Sequence, residues 1–116
     1  IEHVGGSMFD GIPSADAIFI KNVLIDWDDE SCMKILKNCH KALPENGKLV
    51  VIEEMMPDAV EPREIVEILK VVPLTEVLMR NEEEWIKMLQ DSGFRNLKIV
   101  YVPGAFSKKM MIEAIK

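Results

Sequence analysis

The chain has 116 residues, room for one modest domain and too few for two. It is 48% hydrophobic and 29% charged, an ordinary soluble composition, and twenty acidic residues against fourteen basic ones give a formal net charge of −6. That balance speaks against nucleic acid or an anionic membrane as partner, and no apolar run reaches the length of a membrane span.

The opening, Ile1–Glu2–His3–Val4, has no initiator Met and no signal-peptide pattern, and it reads as the interior of a longer chain. Gly5–Gly6 after that apolar start suggest a strand end or a turn, and residues 10–14 a loop. Ala17, Ile18, Phe19 and Ile20 form a run of apolar side chains that stops at Lys21. Such a run, bounded by polar residues, predicts a strand over 16–22 buried on both faces. Ligands of open α/β sheets collect outside the carboxyl ends of their strands, so residues 21–27 are where function is expected.

Asp28–Asp29–Glu30 open a helix reaching about Leu43, acidic residues being favoured where the helix dipole is positive. Met33, Leu36, Cys39 and Leu43 mark its apolar face, with Ile35 and Ala42 beside it, and Lys34, Lys37 and Lys41 remain in water. Cys32 and Cys39 lie two helical turns apart, roughly 10 Å, too far for a disulfide. They read as buried reduced thiols and fit a cytoplasmic protein. His40 follows Cys39 directly and points elsewhere on the helix, so no metal pair is expected. Pro44–Glu45–Asn46–Gly47 ends the helix, and Leu49–Val50–Val51–Ile52 is a second buried strand. Strand, helix and strand in this order predict a parallel, right-handed crossover.

Glu53–Glu54 leave the carboxyl end of that strand. Residues 63–79 read as a helix interrupted by Pro73. Asn81 reads as an N-cap with Glu84 completing a capping box, and Trp85, Met88 and Leu89 as the inner face of a helix over 82–91, closed by Ser92–Gly93. Strands over 96–102 and 107–115, joined through Pro103–Gly104, are expected to pair antiparallel. The acidic residues Glu53, Glu54, Asp58, Glu61, Glu64 and Glu67 have no hard-cation loop spacing and read as a solvated face, so no metal is expected. The eight methionines read as core filler.

Several stretches in combination resemble the carboxyl-terminal part of plant small-molecule O-methyltransferases, which use S-adenosylmethionine. They are Glu2–His3–Val4–Gly5–Gly6–Ser7–Met8–Phe9, Asp16–Ala17–Ile18–Phe19–Ile20–Lys21 and Asp26–Trp27–Asp28–Asp29–Glu30–Ser31–Cys32. Leu36–Lys37–Asn38–Cys39, Ala42–Leu43–Pro44–Glu45–Asn46–Gly47–Lys48, Asn81–Glu82–Glu83–Glu84–Trp85 and Ser92–Gly93–Phe94 continue it over nearly the whole chain. The resemblance implies an α/β fold, a partial Rossmann-like methyltransferase sheet whose last strand runs antiparallel between two others, with flanking helices. It implies a single partial domain, with the glycine-rich cofactor loop, two strands and an amino-terminal helical dimerisation domain upstream of residue 1. A phenolic or alkaloid would be the small-molecule substrate.

By the same resemblance, Ser7 stands where the family has an acidic residue on the adenine amine. Met8 would pack on the adenine, and Lys21 would reach the cofactor from the strand end. The family's catalytic base is a histidine directly before Asp–Trp, and here that position is Ile25. A histidine can take a phenol proton near neutral pH and an isoleucine cannot. Of the two glutamates that orient the histidine, one matches Glu53 and the other falls on Met79. Asp26 is the substitute base the sequence offers, a weak one for a residue type with a pKa ordinarily near ~3.9.

Each of these residues also has a plainer role. Lys21 can simply end a strand in water, Glu53 can be a solvated strand-end carboxylate, and Trp27 can pack while Asp26 starts the helix. Two functions follow: a methyltransferase portion that is inactive as this chain, with no cofactor bound, or a non-catalytic remnant that self-associates as a homodimer. In either case the edge of the 17–20 strand, whose family partner would lie upstream, is expected to be covered by residues 1–9 folding back or by another copy of the chain.

Overall fold

The sheet begins with Ala17–Lys21 (β1), which pairs in parallel with Lys48–Met55 (β2) and sets Ile20 beside Val51 and Lys21 beside Ile52. The computed structural model describes residues 1–55, 66, 79–102 and 108–116. Helix Asp29–Ala42 (α1) connects the two strands. Its N-cap is Asp28, which accepts the Ser31 N–H at 2.7 Å. Cys32, Ile35, Leu36 and Cys39 form its buried face, and the three lysines stay exposed. Pro44 to Gly47 form the tight turn expected. A Cβ on Gly47 would stand 2.9 Å from both the ring and the carbonyl oxygen of Pro44, so only glycine fits there.

Helix Glu82–Asp91 (α2) carries the full capping box, Asn81 accepting from Glu84 N–H and Glu84 accepting from Asn81 N–H. It buries Trp85, Met88 and Leu89. Strand Arg95–Val102 (β3) follows, then Lys108–Ile115 (β4). β4 pairs antiparallel with both β2 and β3, giving the order β1-β2-β4-β3. The mixed sheet with an inserted last strand is therefore present. Leu36, Leu49, Trp85, Leu89 and Ile112 lie in one core between sheet and helices. Burying each such side chain stabilises the fold by about 1.5–3 kcal/mol.

Three expectations are corrected. β1 is not buried on both faces: Ala17, Phe19 and Lys21 are exposed, Phe19 to 62%, and among the described residues β1 is an edge strand. Residues 1–9 do not fold back along it. They form no strand, and Met8 and Phe9 seat on α1 instead, because Asn38 Nδ2 donates to both of their carbonyls, at 2.8 and 3.0 Å. β2 runs on to Met55 with strict alternation, so Leu49, Val51, Glu53 and Met55 all face the core. The expected helix over 63–79 and the Pro103–Gly104 turn lie outside the described residues, apart from Val66 and Met79.

Candidate functional site

Beyond Lys21 the chain reverses at Asn22, whose φ of 51° is one that Asn tolerates better than most residues. Asn22 N–H donates to Ile52 C=O at 3.0 Å, which ties the turn to the end of the β1–β2 ladder. Leu24–Asp26 then make one 3₁₀ turn with Leu24 and Ile25 buried. A turn this short leaves its first N–H and last C=O groups without internal partners. Glu53 of β2 accepts the first N–H groups, and Arg80, just before the α2 N-cap, donates to Trp27 C=O and joins Trp27 N–H on Leu24 C=O.

Glu53 is 0% exposed, and its Oε1 accepts the N–H of Val23 at 3.0 Å and of Leu24 at 2.8 Å. The solvated strand-end reading of this residue is thus wrong. The alternation of β2 points Glu53 inward, beneath the turn. Burial pushes its pKa above the ordinary glutamate value, against the downward pull of the Val23, Leu24 and Ile25 N–H groups, and Asp26 adds to the rise. Its second oxygen, Oε2, is buried with no hydrogen-bond partner among the described residues.

Arg80 serves the other end of the turn. It is only 5% exposed, and its guanidinium donates to Trp27 C=O at 2.7 Å, to Leu24 C=O at 3.2 Å and to Asp29 Oδ1 at 2.8 Å. The group also lies 5.2 Å from the centre of the Trp85 ring. Cys32 Sγ donates to the same two carbonyls, at 3.1 Å to Leu24 and 3.4 Å to Trp27. Burial pushes its thiol up to about 11, so it stays protonated at neutral pH. Sequence reasoning missed Arg80. A single arginine before an N-cap carries no periodic signal, and its partners lie more than fifty positions away.

The expected site residues fall into three groups. Ile25, Asp26 and Trp27 sit on the turn that Glu53 holds. Asp26 is exposed and is the only ionisable side chain among residues 23–27. Trp27 packs edge-to-face on Phe9, ring centres 4.8 Å apart at 78°, as its structural reading required. The helix cap is Asp28, so Asp26 does not start α1. Ser7 and Met8 form the second group, placed on α1 through Asn38. Ser7 C=O accepts from Asp10 and Gly11 N–H, its hydroxyl accepts from Phe9 N–H at 3.3 Å, and Met8 is half-buried. Lys21 stands apart. It is exposed at the end of β1, and among the described residues its ammonium makes no hydrogen bond or ion pair. Met79 is half-buried.

A nucleoside-type cofactor could draw on Ser7, Met8 and Lys21. They offer an exposed hydroxyl acceptor, a thioether that packs on flat rings, and an ammonium for an oxygen-bearing group. Among the described residues, no group of three or more His, Cys, Asp or Glu could hold a metal ion.

Comparison with known proteins gives a matching family model, curated relatives and solved structures. The family model described as an O-methyltransferase domain matches residues 1–95. The (iso)eugenol O-methyltransferase of Clarkia breweri is 44% identical, over 85% of this chain and 28% of that protein. The xanthohumol 4-O-methyltransferase of Humulus lupulus is 38% identical, over 98% of this chain and 32% of that protein. The chain therefore spans about a third or less of the curated relatives it matches. Among solved structures, LaPhzM superposes with a TM-score of 0.80 at 29% identity, covering 97% of this chain and 33% of that one. Human N-acetylserotonin methyltransferase in complex with S-adenosylmethionine gives a TM-score of 0.77 at 25% identity, over 96% of this chain and 32% of that one.

Proposed function

Because the chain belongs to the O-methyltransferase domain family, we propose that it is the carboxyl-terminal part of an S-adenosylmethionine-dependent O-methyltransferase-like protein acting on plant phenolics or alkaloids, and that it does not transfer methyl groups as this chain alone. The observation that carries this reading is Ile25. By resemblance it occupies the position of the base, yet it is a buried hydrocarbon with no proton acceptor. Glu53 faces the turn from below and accepts backbone N–H groups there. Asp26 remains the one carboxylate on the turn, exposed to water.

The part assigned to Ser7, Met8 and Lys21 is one edge of a cofactor site. Ser7 and Met8 would hold the adenine, and Lys21 an oxygen of the cofactor. When bound, S-adenosylmethionine supplies the electrophilic methyl group. The buried thiols Cys32 and Cys39 suit a reducing compartment, and we place the protein in the cytoplasm. Calorimetric titration with S-adenosylmethionine tests the reading. No heat at millimolar cofactor is expected, and saturable binding in the micromolar range would overturn it.

A second reading is favoured by β1. Among the described residues its outer edge has no strand partner, and it carries exposed Phe19. Under that reading the chain is a non-catalytic remnant that forms a homodimer through this edge. Light scattering over a concentration series decides it. A constant monomer mass rules out self-association.

A further inference from the structure

The turn that carries residues 23–27 is closed by charged groups at both of its ends. Its leading N–H groups meet the Glu53 carboxylate, and the carbonyls of its first residue, Leu24, and of Trp27, which closes it, meet the Arg80 guanidinium. That polarity matches the turn's own peptide dipoles, positive at the start and negative at the end. We propose that Arg80 is a positioning residue for this turn, fixing the surface made by Ile25, Asp26 and Trp27 jointly with Glu53 from the opposite side. The inference does not depend on methyl transfer and applies to any ligand that meets this surface.

The geometry favours this role over simple packing. Two of the three observed guanidinium bonds go to carbonyls three residues apart, those of Leu24, which begins the turn, and of Trp27, which closes it. A planar fork reaches two such acceptors at once, and a single ammonium does not. Asp29, itself mostly exposed, accepts the hydrogen bond from Nε–H and fixes the plane of the fork. Almost no solvent reaches Arg80, so those carbonyls and the Asp29 carboxylate are its compensation for burial. The competing role is anchorage of α2 through the Trp85 ring.

Amide hydrogen exchange on the 116-residue chain separates the two. Arg80 touches only carbonyls of the turn, whereas the Val23 and Leu24 N–H groups are held by Glu53. If Arg80 positions the whole turn, Arg80→Ala raises exchange at Val23 and Leu24 by about tenfold, and β2 and β4 keep their wild-type rates. Arg80→Lys gives a smaller rise, about threefold, confined to residues 23–27. Unchanged Val23 and Leu24 rates in both variants overturn the proposal, as does a uniform rise across the sheet. If Arg80→Ala does not fold, Arg80→Lys decides alone: a rise confined to the turn supports the role, and none overturns it.

Discussion

Glu53 Oε1 lies 2.8 Å from the backbone nitrogen of Leu24, so a carboxylate from the core face of β2 holds the turn that follows β1. Where the family resemblance expects an acid that orients a catalytic imidazole, this chain uses it to organise backbone. Replacing Glu53 by alanine strands two N–H groups, those of Val23 and Leu24. Glu53→Ala is therefore expected to destabilise the fold by about 2–4 kcal/mol, and Glu53→Gln, which keeps an acceptor oxygen, by less than half of that. Urea unfolding of the two variants measures the difference.

The pH dependence has a defined sign. Burial raises the Glu53 pKa in the folded chain above its ordinary value of 4.5. The folded state then binds the Glu53 proton more tightly than the unfolded one. The stability from this group is fully present below 4.5 and falls as pH rises through the elevated folded value. Asp28 acts oppositely. Its pKa is lowered, first by the Ser31 N–H, so its stabilisation is lost as pH falls through the lowered value. Urea unfolding of wild type and Glu53→Gln across pH 4 to 8, roughly the range in which such a carboxylate titrates, should show the wild type losing ground to the variant as pH rises. A widening wild-type advantage would contradict the assignment.

Cys32 and Cys39 are 0% exposed, and burial raises both thiols to about 11. Thiol reagents need the thiolate and physical access. In native conditions both cysteines are expected to label only as fast as the protein opens, and within seconds in denaturant. Prompt labelling of either thiol in the folded chain would show that its site is open.

Asn38 pins residues 8 and 9 by two hydrogen bonds to their carbonyls. Asn38→Ala should cost about 1–2 kcal/mol and free the turn that presents Ser7 and Met8. Limited proteolysis reads this directly. Cleavage within residues 1–10 should accelerate in the variant while the sheet stays intact.

Much of this fold was legible from the chain alone. Periodicity located α1 and α2, Asn81 and Glu84 announced the capping box, and the strand runs gave the parallel pair and the antiparallel pair. Burial of β1 was misjudged because an apolar run does not say whether both faces of the strand are covered, and the face carrying Phe19 is exposed. Glu53 was misjudged for a related reason. A carboxylate at the end of an apolar run looks solvated, although the two-residue alternation through Leu49 and Val51 already placed it on the core face. Arg80 was invisible because two of its three partners are backbone carbonyls, which leave no trace in residue identity, and the third, Asp29, lies 51 positions away.

The central claim is that a hydrocarbon at position 25 leaves this chain without the base its relatives' chemistry requires. Incubation with S-adenosylmethionine carrying a labelled methyl group and a panel of simple phenols tests it most directly. The expected result is no label on any acceptor above the protein-free control. Label transferred to a phenol, and lost when Glu53→Ala or Lys21→Ala is introduced, would contradict it.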